Sequence, residues 1–326
     1  MKSKILNALR NSEEYVSGQE LCEQYGVSRT AIWKGINQLK KEGYEIEAVP
    51  NKGYRLCGYP DSISQIELES RLETKWAGRP LICLDEIDST NNEVKRLAEN
   101  GQGNGCTVVA DYQSGGKGRR GRAWVTPKGS AIALSILLRP ELAPDKASML
   151  TLVAGLAVAK SVREVTGLET GIKWPNDVVI DGKKISGTLT EMSMEMGAIH
   201  YVVIGTGINA NMTEFPEEIQ GIATSLRLQT GNRVDRAAII CAYLKAFEEY
   251  YEKFLVCGNM ELLKEDYAKL LVNMDKEVKV LQPENEYTGI ARGIDELGQL
   301  LVEKEDGTVE KVYAGEVSVR GIYSYT

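Results

Sequence analysis

The stretch Tyr112-Gln113-Ser114-Gly115-Gly116-Lys117-Gly118-Arg119-Arg120-Gly121-Arg122-Ala123-Trp124 decides how this chain is read. Four cations (Lys117, Arg119, Arg120, Arg122) fall within six positions, interleaved with four glycines. Glycine lets backbone approach a ligand closely and offers amides to phosphate oxygens, while arginine presents a planar fork to phosphate or carboxylate. Like charges so crowded repel until an anion arrives, which predicts a loop that is mobile when empty and ordered when occupied. A basic linker or nucleic-acid-binding arm is the competing reading. The setting argues against a linker, because the loop lies between two apolar runs read as strands, Thr107-Val108-Val109-Ala110 and Ile132–Leu138. No G-x-x-x-x-G-K-[ST] occurs here, which excludes a Walker A loop.

Working outward, Asp88-Ser89-Thr90-Asn91-Asn92 precedes a helical Glu93–Asn100 and reads as its N-cap. Downstream, Lys173-Trp174-Pro175-Asn176-Asp177 gathers an ammonium, an aromatic plate, an amide and a carboxylate before the strand Val178–Ile180. Asp181-Gly182-Lys183-Lys184 reads as a hairpin turn, and spacing alone leaves both lysines in solvent. Gly205-Thr206-Gly207-Ile208-Asn209-Ala210 fits G-x-G-x-x-A after a strand. A dinucleotide fold needs a helix next, whereas Asn211–Pro216 reads as loop, which leaves a strand end with a tight turn. Ala147–Thr166 and Arg236–Val256 read as core helices on a mixed sheet.

The chain has 326 residues, which predicts two or three domains. A net charge of −7 excludes a uniformly basic protein but not a locally basic module. The longest uncharged apolar stretch, Ala147–Ala159, covers 13 residues, short of the roughly 20 that a membrane-spanning helix needs. Arg10 arrives too early for a signal-peptide core, so the cytoplasm is the expected location, with no membrane partner. Six cysteines form no C-x-x-C and no close pair, so no structural metal or disulfide scaffold is expected. The single histidine, His200, excludes a His₂ or His₃ metal site and reads as a strand-edge residue.

Residues 1–60 hold nine Lys/Arg against seven Glu, a net of +2, which leaves −9 on the other 266. Ile5, Leu6 and Leu9 make a first helical stripe, and Ser17…Glu20 is a capping box opening a second helix that ends near Gly26. Ser28 caps a third, with Ile32, Ile36 and Leu39 on one face and Arg29, Thr30, Trp33, Lys34 and Asn37 on the other. Tyr44–Val49, the turn Pro50–Gly53 and Tyr54–Leu56 complete a hairpin. This order resembles a winged helix-turn-helix, with Ser28, Arg29, Thr30, Trp33, Lys34, Asn37 and the wing-tip Lys52 as candidate DNA contacts. A helical domain with a merely solvated face is the alternative, and Trp33 reads equally as a core or interface residue.

In their order along the chain, Asp88–Asn91, Gln113…Trp124, Lys173–Asp177, Lys184-Ile185-Ser186-Gly187 and Gly205–Asn209 resemble the biotin–protein ligase family. The winged helix matches its bifunctional members, which are also biotin operon repressors. The Gly-punctuated Glu277–Tyr325 is similar to that family's small barrel. The resemblance implies an α+β chain in three parts. These are a winged helix-turn-helix (1–60), a central mixed-sheet α/β ligase domain like class II synthetases (66–270) and a C-terminal small SH3-like β-barrel (271–326).

It also implies ATP-dependent formation of biotinyl-5′-AMP and transfer of biotin to a lysine of a biotin carboxyl carrier domain. Mg²⁺ accompanies ATP, and Asp177 is the candidate metal contact. Biotin or its adenylate would meet Ser89, Thr90, Asn91, Gln113, Lys117, Gly118, Arg119, Lys184 and Gly187. The nucleotide would meet Arg119, Arg120, Arg122, Trp124, Lys173, Asn176 and Asn209, with Met212–Ile222 closing over the adenine. Trp124 reads equally as a core residue. Arg119, Arg122, Lys184 and Asp177 are the candidate catalytic groups. The resemblance further implies a homodimer when adenylate-bound, operator DNA as a partner and the adenylate as corepressor. Lys117 stands where some members have arginine, which keeps the charge without the bidentate fork. A lipoate–protein ligase and a non-catalytic ligand-sensing regulator are the competing functions.

Overall fold

A computed structural model describes residues 1–281, 286–313 and 318–321. The chain divides into two compact units, Met1–Leu72 and Glu73–Thr326. In the first, α1 (Lys2–Arg10), α2 (Gly18–Tyr25) and α3 (Arg29–Lys41) precede an antiparallel hairpin of β1 (Glu45–Val49) and β2 (Gly53–Gly58). The anticipated caps form: Ser17 Oγ accepts from the Glu20 amide at 3.0 Å, and Ser28 Oγ from that of Ala31 at 3.2 Å. Gly26, at φ 64°, ends α2 in the left-handed turn that glycine adopts without strain. Ile5, Leu6 and Leu9 meet Leu21, Ile32, Ile36 and Leu39 in one small core.

This unit runs past residue 60. α4 (Gln65–Arg71), within the span assigned above to the central domain, packs on α1. Its Glu67, 0% exposed, accepts hydrogen bonds from Arg10 Nη2 (2.8 Å), Arg71 Nε (2.6 Å) and the Tyr44 hydroxyl (2.8 Å). Both guanidiniums also lie over the Tyr59 ring. A glutamate in a short polar helix reads as a surface residue until segments far apart in sequence supply its partners.

The second unit is built on a seven-stranded sheet. Its strands are β3 (Leu81–Leu84), β4 (Thr107–Ala110), β5 (Ile132–Leu138), β6 (Gly171–Lys173), β7 (Asp177–Ile180), β8 (Lys183–Glu195) and β9 (Ala198–Ile208). They run in the order β3-β4-β5-β9-β8-β7-β6, with β3–β4 parallel and the other neighbours antiparallel. α5 (Thr90–Glu99) follows β3. Residues Pro144–Met149 form a 3₁₀ turn, so the core helix α6 (Leu150–Thr166) begins three residues later than its apolar pattern suggested. After α7 (Leu226–Thr230), α8 (Arg236–Cys257) packs on α6. Buried Arg236 ties α8 to the loop after β4, donating to Asp111 Oδ1 (2.7 Å) and the Ala131 carbonyl (3.1 Å). Such a pair satisfies charge that would otherwise be costly to bury.

After α9 (Lys264–Leu270) come β10 (Glu277–Leu281), β11 (Glu286–Ile294), β12 (Leu300–Glu303), β13 (Val309–Val312) and β14 (Ser318–Gly321). They make an antiparallel sheet ordered β13-β12-β11-β10-β14, the small C-terminal β domain. Tyr325, the far end of the glycine-punctuated segment, lies outside the described residues. Trp174, 2% exposed, donates its indole N–H to the Gly298 carbonyl at 3.0 Å, fastening this sheet to the β6–β7 turn. Gly205-Thr206-Gly207-Ile208 is continuous strand in β9, so the anticipated tight turn is absent there. No helix among the described residues is long and apolar enough to cross a membrane.

Candidate active site

A cavity of about 270 Å³ opens beside the central strands of the seven-stranded sheet, and all sixteen residues proposed above for ligand and catalysis line it. Its polar wall is a chain of hydrogen-bonding groups. Gln113 Oε1 accepts the Thr90 amide at 2.8 Å, and its Nε2 donates to Thr126 Oγ1 at 3.0 Å. Thr90 Oγ1 lies 2.7 Å from Ser135 Oγ, which lies 2.5 Å from Asn91 Oδ1. Asn91 Nδ2 donates to Glu191 Oε2 at 2.7 Å, and Lys95 Nζ reaches Glu191 Oε1 at 2.5 Å. Burial opposes charge on Glu191, but Lys95 and Asn91 overcome it and hold the carboxyl below its ordinary range.

Ser89 occupies the N-cap position of α5 yet makes no side-chain cap bond, and the Thr90 amide that follows it goes to Gln113 Oε1. Asp88 next to it accepts from Asn92 (2.7 Å) and Arg96 (2.8 Å). The Asn92 bond is the leading cause of its depression to about 2.

The glycine–cation loop is folded as a hairpin. Gly118 N–H donates to the Arg122 carbonyl (2.7 Å), Trp124 N–H to that of Gly116 (2.9 Å) and Gly115 N–H to that of Asp88 (2.8 Å). Backbone pairing offsets the repulsion, with Arg120 (φ 57°) and Gly121 (φ 72°) making the turn. Arg119 Nη1 donates to Asn176 Oδ1 at 2.8 Å, linking the loop to the β6–β7 turn. Burial lowers the Arg119 pKa and Asp177 opposes that; a guanidinium so far above neutrality stays charged. Lys117, Arg120 and Arg122 are exposed at the rim.

Lys184 is not in solvent. β8 carries an extra residue opposite Val178/Val179, so that Lys184 pairs with Val179 rather than with Ile180. That one-residue bulge moves the lysine to the face shared by Asp177 and Val179. Its Nζ stands 2.6 Å from Asp177 Oδ1, and Lys183 keeps the exposed place foreseen for both. Gly187 makes room: a Cβ there would lie 3.0 Å from Lys184 Nζ. The β9 glycines serve the same end. A Cβ on Gly205 would come within 2.0 Å of Asn91 Oδ1, and one on Gly207 within 2.3 Å of the Trp124 ring. Close approach, not turn formation, is why glycine stands at both.

Trp124 is half-buried against the cavity rather than in a core, with an indole N–H lacking a partner among the described residues. Lys173 is buried at the cavity wall, and Asn209 Nδ2 donates to the Thr224 carbonyl at 3.0 Å. Met212, Phe215, Ile219 and Ala223 pack together along one side, placing the foreseen 212–222 segment at the cavity. Among the described residues, Asp177 is the only carboxylate lining it. No group of three His, Cys, Asp or Glu suited to a metal occurs among the described residues. Sequence reading missed Ser135 and Glu191. Ser135 had a signal, a hydroxyl interrupting an apolar strand, whereas Glu191 lies in a polar strand and had none.

In the N-terminal unit, Ser28 caps α3 and the Arg29 guanidinium donates to Gln19 Oε1 (2.9 and 3.2 Å). Thr30, Lys34 and Lys52 are exposed and Asn37 is half-buried. Trp33 is 58% exposed, which removes its core reading.

Three family models match in sequence order: an HTH domain (residues 2–55), the Biotin/lipoate A/B protein ligase family (83–209) and the Biotin protein ligase C terminal domain (274–320). The Bifunctional ligase/repressor BirA of Bacillus subtilis (strain 168) is 41% identical over 310 residues, covering 94% of each chain. Its namesake in Escherichia coli (strain K12) is 34% identical, covering 97% of this chain and 96% of its own. Among solved structures, the biotin protein ligase from Aquifex aeolicus in complex with biotin and ATP superposes with a TM-score of 0.65 at 35% identity. It covers 74% of this chain and 98% of that one. Identity at this level, sustained through all three parts, places the chain in the biotin–protein ligase family, among its bifunctional ligase/repressors.

Proposed function

We propose that this chain joins biotin to ATP, giving biotinyl-5′-AMP and pyrophosphate, and then biotinylates a lysine of a carboxyl carrier domain such as that of acetyl-CoA carboxylase. The carrying observation is that one cavity joins two chemistries. The Thr90–Gln113 wall suits the ureido ring, and the Lys184–Asp177–Arg119 group suits a carboxylate meeting a phosphate. Ser89, Thr90, Asn91, Gln113, Lys117, Gly118, Arg119, Lys184 and Gly187 form the biotin side. Arg119, Arg120, Arg122, Trp124, Lys173, Asn176 and Asn209 form the nucleotide side, with Phe215 near the adenine.

In this reading a biotin carboxylate oxygen attacks the α-phosphorus and the bond to the β-phosphate oxygen breaks. Such in-line transfer needs positioned charge more than acid–base groups. Lys184 holds the carboxylate and then the acyl-phosphate oxygen, while Arg119 and Arg122 stabilise charge on the phosphates. The acceptor amine next attacks the acyl carbon and AMP leaves; Asp177 eases loss of the amine proton. Mg²⁺ accompanies ATP and neutralises phosphate charge. A carboxylate beside phosphate oxygens would suit that hard, heavily hydrated ion, and Asp177, which lines the cavity, would hold it.

The regulatory half is repression of biotin synthesis or uptake genes, with biotinyl-5′-AMP as corepressor and a homodimer reading paired half-sites. Arg29, Thr30, Trp33, Lys34, Asn37 and Lys52 face the operator, and Ser28 orders the helix that presents them. The functional division is DNA binding in 1–60 completed by α4, catalysis up to residue 270 and the small β domain from 271. Substrates and operator place the work in the cytoplasm.

Mass spectrometry after incubation with biotin and Mg²⁺-ATP should show retained biotinyl-AMP. Arg119→Ala should cut biotin-dependent pyrophosphate exchange by about 100-fold or more. Lipoate outcompeting biotin would make this a lipoate ligase, and no AMP formation would leave a sensor. A promoter fragment that the protein never shifts, with or without biotin and ATP, would remove the repressor half.

A further inference from the structure

Of the four arginines in residues 1–72, three are ion-paired: Arg10 and Arg71 to Glu67, and Arg55 to Glu47. Arg29, the first residue of α3, is held differently. Its Nη2 and Nε both donate to one neutral oxygen, Gln19 Oε1, at 2.9 and 3.2 Å. The turn at Gly26 brings Gln19, in the first turn of α2, beside the start of α3. Gln19 is itself fixed, since its Nε2 donates to Glu23 Oε1 at 2.6 Å, one helical turn on. An arginine only donates and a carboxylate only accepts, so the amide between them has one orientation. The guanidinium is thereby anchored along its Nε/Nη2 edge. Its Nη1/Nη2 end is left open on an exposed side chain, Nη1 having no hydrogen-bond partner among the described residues.

We propose that Gln19, held by Glu23, is a positioning residue that presents Arg29 end-on to a guanine in the operator major groove. The inference rests on the repressor reading above and deepens it by naming the base. Two parallel donors at the end of a guanidinium match O6 and N7 of guanine, an acceptor pair that the major groove displays. Adenine puts a donor where O6 stands, so the same fork refuses it. In helix-turn-helix docking, base edges are met by the N-terminal residues of the recognition helix, where Arg29 stands. A neutral anchor suits this use, because a carboxylate at 19 would cancel the charge that DNA attracts and set a second anion near the phosphates. In water, exposed bonds such as these contribute little to folding stability. Their effect falls on binding: an arginine already held in one rotamer loses less freedom when it docks, and only at a site that matches the fixed fork.

The test titrates the full-length protein, with biotin and Mg²⁺-ATP at fixed salt, onto its own promoter fragment carrying single base-pair substitutions in each half-site. Arg29→Ala locates the contact as the pair whose substitution no longer matters, and that pair should be G·C in the natural operator. There the wild type should prefer G·C to A·T by about 10- to 100-fold. Gln19→Met, which keeps the length but has no acceptor, should cut that preference by about threefold or more. Preferences at other pairs and binding to unrelated DNA should stay within about twofold, and the thermal midpoint within about two degrees. Glu23→Ala should lower the same preference, and Glu23→Gln, whose amide oxygen still accepts from Gln19, should restore it. A Gln19→Met protein weakened equally at every pair, or unchanged at the Arg29 pair, overturns the positioning role and leaves the operator reading standing. An Arg29 pair that is A·T, or no such pair, overturns the guanine assignment. A wild type that binds its promoter no better than unrelated DNA overturns both.

Discussion

The Lys184 ammonium lies 2.6 Å from Asp177 Oδ1 and directly over Gly187, where a single added carbon would come within 3.0 Å of it. The lysine can therefore leave Asp177 for an incoming carboxylate without crossing any side chain at that position. Gly187→Ala should push the ammonium aside while leaving the fold intact, because the displaced atoms are the end of a flexible chain. Biotin adenylation should drop by about tenfold, with the thermal midpoint changing by no more than a few degrees.

Gly205 and Gly207 differ in what an added Cβ would strike. At Gly205 it strikes Asn91, which Glu191 and Ser135 hold in place. At Gly207 it strikes the Trp124 side chain, carried by the 116–124 hairpin and only half-buried. Gly205→Ala should cost about 1–3 kcal/mol in denaturant unfolding, the range for overpacking a close-fitted interior. Gly207→Ala should cost less stability but impair nucleotide binding, read as a higher KM for ATP.

Asp88 supplies a pH prediction. Its folded pKa is about 2, set first by the Asn92 hydrogen bond, against about 3.9 for an unfolded aspartate. A depressed carboxyl stabilises the fold above the unfolded value and ceases to do so as pH falls through the folded one. Asp88→Asn should therefore melt earlier than wild type at pH 7, and the gap should close as pH falls from about 4 to about 2.

Glu67 bears on where the N-terminal unit ends. With Arg10, Arg71 and Tyr44 all donating to it, Glu67→Ala would take the shared, fully buried carboxylate away from two half-buried guanidiniums. The N-terminal unfolding transition should lose about 3–5 kcal/mol. By the same reasoning a chain cut before residue 61 keeps α4 without its partners, and one cut before residue 73 does not. The longer fragment, 61–326, should be the more prone to aggregate in light-scattering measurements.

Much of the molecule was legible in its residues. The helix caps at Ser17 and Ser28, the apolar stripes of α1 to α3, the strands β4 and β5 and the order of the ligand-binding motifs all depend on neighbours a few positions apart. Such local preferences act in any context, so they survive translation into structure. The destination of Lys184 was not legible, because one extra residue in β8 reverses its face and nothing in Asp181–Lys184 announces a bulge. Nor were Glu67 and Glu191, whose partners include residues 57 and 100 positions away. The glycines of β9 were noticed for the wrong reason, since what they avoid is a side chain on α5 and another on the 116–124 hairpin. Short-range chemistry named the parts; strand register and long-range burial, which depend on the whole chain at once, settled which of them face one another.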